Sequence, residues 1–136
     1  MWTCPYCNRQ FKKDHQVHSC NDKTLDDFFT GKTDHVKKLF SHLVSVYKEL
    51  APISVYPLKS MIVIVLKEKR CIYIPQIGRN FIDVVFPFKQ AYHDNLCFTK
   101  IKAVPGSDDH NHYFRMELEE DVNDEVKHFI RLSLGQ

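Results

Sequence analysis

The chain has 136 residues, 43% of them hydrophobic and 26% charged, with a formal net charge of +2. That balance excludes wholesale disorder and low-complexity architecture, and so small an excess does not by itself demand a nucleic-acid or membrane partner. The excess is unevenly placed: residues 1–23 hold Arg9, Lys12, Lys13 and Lys23 against Asp14 and Asp22, and the rest of the chain balances. The opening MWTCPYC lacks the basic start and apolar stretch of a signal peptide, and the longest aliphatic run, MIVIVL, is far too short to cross a bilayer. A cytoplasmic protein without a membrane partner is the expectation.

Residues 2–20 come first and gather Cys4, Cys7 and Cys20 with His15 and His18. Trp2, Tyr6, Phe11 and Val17 are the only sizeable nonpolar anchors there, so burial cannot offset the entropy lost on ordering the segment. A staple is required. The pattern Cys4-x2-Cys7-x10-His18-x-Cys20 supplies soft and borderline donors in two close pairs, which suits tetrahedral structural Zn2+. Three thiolates and one neutral imidazole leave no position open for a substrate water. His18 closes the second pair compactly with Cys20, and His15 is the alternative fourth ligand. An odd number of cysteines in a chain without a secretory signal argues against a disulfide framework. A redox CxxC normally sits at a helix start after a strand, and no strand pattern precedes Cys4.

The next segment, TLDDFFTG, reads as a short helix with Thr24 as N-cap, Asp27 three residues on and Gly31 as its stop. From Thr33, the apolar residues Val36, Leu39, Phe40, Leu43, Val46, Tyr47 and Leu50 recur at three- and four-residue steps, predicting a helix with one buried stripe. Ala51-Pro52 ends it. Residues 53–118 then alternate β-branched or aromatic runs with turn signals, predicting an antiparallel meander in which MIVIVL is an interior strand. Phe114, Met116 and Leu118, alternating with Arg115 and Glu117, predict a strand with one solvated face. DVNDEVKHFIRLSLG closes the chain as an amphipathic helix. The expected architecture is α+β: a zinc ribbon over 1–23, then a domain over 24–136 in which helices flank an antiparallel sheet of about five or six strands on one face.

The motif W-x-C-P-x-C-x-R-x-F, the later Q-x-H-x-C, LDDFFTGK, the strand series and the closing acidic helix together resemble the bacterial family catalogued as domain of unknown function 5655. The resemblance covers nearly the whole chain, and the ribbon is its specific part. It implies Cys4, Cys7, His18 and Cys20 as the metal ligands. Where that family has a glycine after the second cysteine, this chain has Asn8. Some relatives are domains attached to predicted nucleases, and the looser matches in the body fall at Lys59 and at His112 to Arg115.

Two functional readings follow. In the first, the chain is a non-enzymatic binding module whose ribbon presents Trp2, Arg9, Lys12 and Lys13 to a nucleic acid or a protein. In the second, it is a small enzyme or ligand receptor with a pocket on the sheet near Lys59, Arg79 and His112. SDDHNH at 107–112 offers carboxylates and imidazoles but reads as a polar turn. KEKR at 67–70 reads as a solvated hairpin tip, although Lys59, Lys67, Lys69, Arg70 and Arg79 with Tyr56 and Tyr73 are the mixture of cations and stacking rings that nucleic-acid binders use. Cys71 and Cys97 read as buried small hydrophobes.

Overall fold

A computed structural model of the chain describes residues 1–4, 10–15 and 24–136. Two short paired strands, β1 (Trp2–Thr3) and β2 (Gln10–Phe11), precede the helices α1 (Leu25–Phe29) and α2 (Asp34–Leu50). Six strands follow: β3 (Ser54–Pro57), β4 (Ile62–Leu66), β5 (Lys69–Ile77), β6 (Ile82–Phe88), β7 (Lys100–Ala103) and β8 (His110–Met116). A 3-10 turn (Glu119–Asp121) leads into α3 (Asp124–Ser133).

The helices start where their caps dictate. The Thr24 N–H donates to Asp27 Oδ2 at 2.8 Å, and Gly31, at φ 76°, supplies the left-handed turn after α1 that a side chain would resist. Thr33 Oγ1 accepts the Val36 N–H at 3.3 Å and donates to the Arg79 carbonyl at 2.8 Å, which ties the start of α2 to the β5–β6 turn. Asn123 Oδ1 caps α3 by accepting the Val126 N–H at 3.0 Å.

The six strands form one antiparallel sheet in the order β3-β4-β5-β6-β8-β7, apart from the two-stranded β1-β2 sheet. This corrects the simple meander: the chain leaves β6, runs out to the edge as β7 and returns as β8 between them. The residues explain the exchange. β8 carries Phe114 and Met116 into the core, whereas β7 is four residues long and bears Lys100 and Lys102, as suits an edge that must not pair with other chains. Two further boundaries differ from the sequence reading. Lys69 and Arg70 belong to β5, so the β4–β5 tip is Lys67-Glu68, both with positive φ as a tight hairpin requires. β8 begins at His110, so the polar turn stops at Asp109, and Leu118 lies beyond the strand, half exposed.

Both long helices cover the same sheet face. Leu39, Leu43 and Tyr47 of α2 and Phe129 and Ile130 of α3 share one buried cluster with Ile62, Ile64, Ile72, Ile74, Ile82, Val84 and Phe86. Burying each such aliphatic or aromatic side chain contributes about 1.5–3 kcal/mol. Ile62, Val63 and Ile64 are inaccessible in succession, so β4 is buried on both faces, as its unbroken aliphatic run predicts. Among the described residues no helix is long and apolar enough to cross a membrane.

Candidate functional site

At the ribbon, β1 and β2 are antiparallel, with Trp2 opposite Phe11 and Thr3 opposite Gln10. Cys4, the first residue after β1, is wholly buried. Lys12, Lys13 and His15 follow β2 and are exposed. The His15 ring lies 5.2 Å from that of Trp2, and its Nδ1 is 3.9 Å from the Glu68 carboxylate, so the ribbon meets the tip of the β4–β5 hairpin. The His15 side chain is 72% exposed. The expectations for Cys7, Arg9, His18 and Cys20 lie outside the described residues, as do those for Tyr6, Asn8, Val17 and the Phe11 side chain. Among the described residues no three histidine, cysteine or carboxylate side chains converge as metal ligands would.

The pocket expected around Lys59, Arg79 and His112 is not assembled by the fold. Lys59 and Arg79 stand exposed in the β3–β4 and β5–β6 turns. His112 is fully buried on the helix-covered face, enclosed by the rings of Phe88, Tyr92 and Phe98 at 5.2, 5.5 and 4.9 Å. Its Nε2 accepts the Tyr92 N–H at 3.0 Å, and its Nδ1–H is directed at the carbonyls of His110 (2.8 Å) and Phe86 (3.2 Å). That pattern fixes the neutral imidazole in one tautomer, since a backbone N–H needs an acceptor and a carbonyl needs a donor. Burial holds the imidazole below its usual pKa. A saturated core histidine has neither a free lone pair for a metal nor access to a substrate.

The thiols of the main domain are equally closed to chemistry. Cys71 is buried and its pKa is raised by desolvation. The Cys97 thiol is pushed up to about 12 by burial and by its bond with Glu125, the carboxylate that also accepts the Cys97 N–H at 3.2 Å. Neither supplies a thiolate near neutrality.

The sheet face away from the helices has a different character. Side chains in register across neighbouring strands share a face, and the pairings Tyr56–Val63, Val63–Tyr73, Tyr73–Val85, Val85–Tyr113 and Tyr113–Lys100 trace a single row over all six strands. The valines in that row are buried and the tyrosines partly exposed. The Lys100 ammonium sits 4.5 Å from the Tyr113 ring centroid. Beside the row, Arg115 binds Asp83 through two parallel hydrogen bonds of 2.9 and 3.1 Å and lies 4.0 Å over the Phe81 ring. An open groove of about 600 Å³ runs between Gln76, Asp83, Lys100, Tyr113 and Arg115.

Sequence reasoning named Tyr56, Tyr73 and Arg70 for this surface and put Arg115 on a solvated strand face, but did not join Tyr113, Lys100 and Lys102 to them. The alternation of Lys100 with Lys102 and of Tyr113 with Arg115 was the available signal; the register that unites them was not. Lys59, Lys67 and Arg79, grouped with them in the sequence reading, lie in turns instead. Comparison of the chain with protein-family models, with curated proteins and with solved structures gives no match.

Proposed function

We propose that the chain is a non-enzymatic, cytoplasmic nucleic-acid-binding module whose N-terminal ribbon is held by one structural Zn2+. The observation that carries this reading is the exposure of Lys12 and Lys13 on the segment that holds the whole positive excess, immediately after a strand whose neighbour runs into a buried Cys4. Cys4, Cys7, His18 and Cys20 are the ligand set. A tetrahedral site closed by three thiolates and an imidazole needs its donors withdrawn from water, as Cys4 is and His15 is not, which favours His18 over His15. The resemblance to domain of unknown function 5655 supports the same four residues.

In this reading Arg9, Lys12 and Lys13 neutralise phosphates and Trp2 provides a stacking or packing surface beside them. Each phosphate contact adds about 0.7–0.9 to the slope of log affinity against log salt. Titrating labelled single- and double-stranded oligonucleotides at two salt concentrations tests the proposal: affinity should fall steeply with salt, and charge reversal at Lys12 and Lys13 should flatten the dependence. Absence of salt-sensitive binding to either form overturns the nucleic-acid reading and leaves a protein partner for the ribbon.

A further inference from the structure

From the row of tyrosines on the helix-free face, we propose that β5, β6, β8 and β7 form a platform for single-stranded nucleic acid, with Tyr73 and Tyr113 as base-stacking rings and Lys100 and Lys102 as phosphate contacts. The inference rests on the nucleic-acid function proposed above and adds to it a second surface and a strandedness.

Three features of the face point to this occupant. First, Tyr73 and Tyr113 both stand opposite Val85, on the strands either side of it, so their backbones are separated by roughly 10 Å, two strand spacings. Their rings are on the same side of the sheet, yet each can take its own base. Val85 beneath them is buried, which keeps a flat apolar floor between the two. Second, the charge is complementary to a phosphate backbone. Lys100, Lys102 and Arg115 stand on this face against Asp83, while Lys89 and Asp109 cancel one another at 2.8 Å. Third, Lys100 already rests on the Tyr113 ring, so the π-face is presented to a cation-bearing neighbour and not packed into the core. A base arriving on Tyr113 displaces the ammonium from the ring toward the adjoining phosphate, a shift that the flexible four-carbon stem allows.

A duplex fits this surface poorly. Its bases are stacked on one another and their faces are closed to tyrosine, whereas unpaired bases offer a ring face whatever their identity. Lysines on an edge strand also deter strand pairing, a role that needs charge alone; the placing of Lys100 opposite Tyr113, at the end of a row that also holds Tyr73, is what the platform adds.

The test uses the whole 136-residue chain, zinc-loaded, with fluorescent oligothymidylate and a duplex of equal length. The single strand should bind more tightly than the duplex. Tyr113→Leu and the double variant Lys100→Glu/Lys102→Glu should each weaken single-strand binding about tenfold, the scale of one lost stacking contact, with duplex binding through the ribbon unchanged. Photocrosslinking with iodouracil should label peptides of β5 and β8. The lysines are exposed, so the double variant remains informative where the Leu variant fails to fold. If both variants bind as the wild type does and crosslinks fall only within 1–23, the platform is overturned and the ribbon reading survives. If the wild type binds no oligonucleotide, both fall together. A concentration-dependent dimer abolished by Lys100→Glu/Lys102→Glu, without oligothymidylate binding, assigns the face to a second copy and likewise overturns the platform.

Discussion

His112 Nε2 accepts the backbone N–H of Tyr92 at 3.0 Å, so one imidazole pins the 89–99 connection between β6 and β7 to β8. Protonation at Nε2 removes the acceptor and places a charge among the rings of Phe88, Tyr92 and Phe98. Because burial depresses the folded pKa below the usual 6.5, the unfolded chain takes up a proton before the native one does. The stabilisation is therefore complete above about 6.5 and is lost as pH falls from there toward the folded value, with a slope of up to about 1.4 kcal/mol per pH unit from this group. Denaturant unfolding between pH 7.5 and 5 checks this. His112→Gln should lower stability at neutral pH and remove this part of the slope; a slope unchanged in the variant would trace it to other groups.

The bond between Tyr47 Oη and Ser133 Oγ, 2.7 Å long and buried, joins α2 to α3, and its two ends are not equivalent. Ser133 Oγ also lies 2.6 Å from the Ile130 carbonyl, to which it donates, so Tyr47→Phe leaves the serine satisfied and should cost about 1 kcal/mol. Ser133→Ala leaves the tyrosine hydroxyl buried with no partner from that side and should cost about 1–3 kcal/mol. Burial also raises the Tyr47 pKa, so the hydroxyl does not escape the penalty by ionising. The double variant Tyr47→Phe/Ser133→Ala should be more stable than Ser133→Ala alone; equal or lower stability would mean that the hydrogen bond is not what couples the helices.

How much of this was legible beforehand depends on the range of the interactions. The stripe from Val36 to Tyr47 and the cap at Thr24 depend on neighbours a turn away, and they stand as the residue spacing implies. The order of β7 and β8 depends on which strand can fill the core, a comparison between segments. His112 looked like a site residue because its enclosing rings come from Phe88, Tyr92 and Phe98, brought around it only by the fold. The tyrosine row is the same problem in reverse: each ring lies in its own strand, and a shift of one residue in any register would send it to the core face.

Gly78 is set by crowding, with no demand for positive φ. A Cβ built there would lie 2.4 Å from Cε1 of Phe81, the ring over which Arg115 stacks while it holds Asp83. Gly78→Ala should displace the ring and cost about 1–3 kcal/mol, as overpacking typically does. The cost should largely vanish in a Phe81→Ala background, where the added methyl has room, and a thermal-unfolding cycle over the four proteins measures that coupling. An unchanged cost in both backgrounds would trace the effect to backbone preference, independent of the Phe81–Arg115–Asp83 stack.

For the ribbon, the expected metal content is one zinc per chain by elemental analysis. Cys4 is inaccessible, which is the environment that the proposed site asks of a thiolate ligand. Cys4→Ser should abolish stoichiometric zinc. Structural zinc contributes on the order of 10–16 kcal/mol to folding small fingers, so amide exchange should then become fast at residues 1–23. The six-stranded sheet, whose buried cluster contains none of the described ribbon residues, should keep its protection. His18→Ala should follow Cys4→Ser, whereas His15→Ala should retain zinc and lose only the Trp2 and Glu68 contacts, at less than about 1 kcal/mol for so exposed a pair. Zinc lost from His15→Ala and kept by His18→Ala would reverse the ligand assignment, and a wild-type protein free of zinc after purification without chelator would remove the staple from the ribbon altogether.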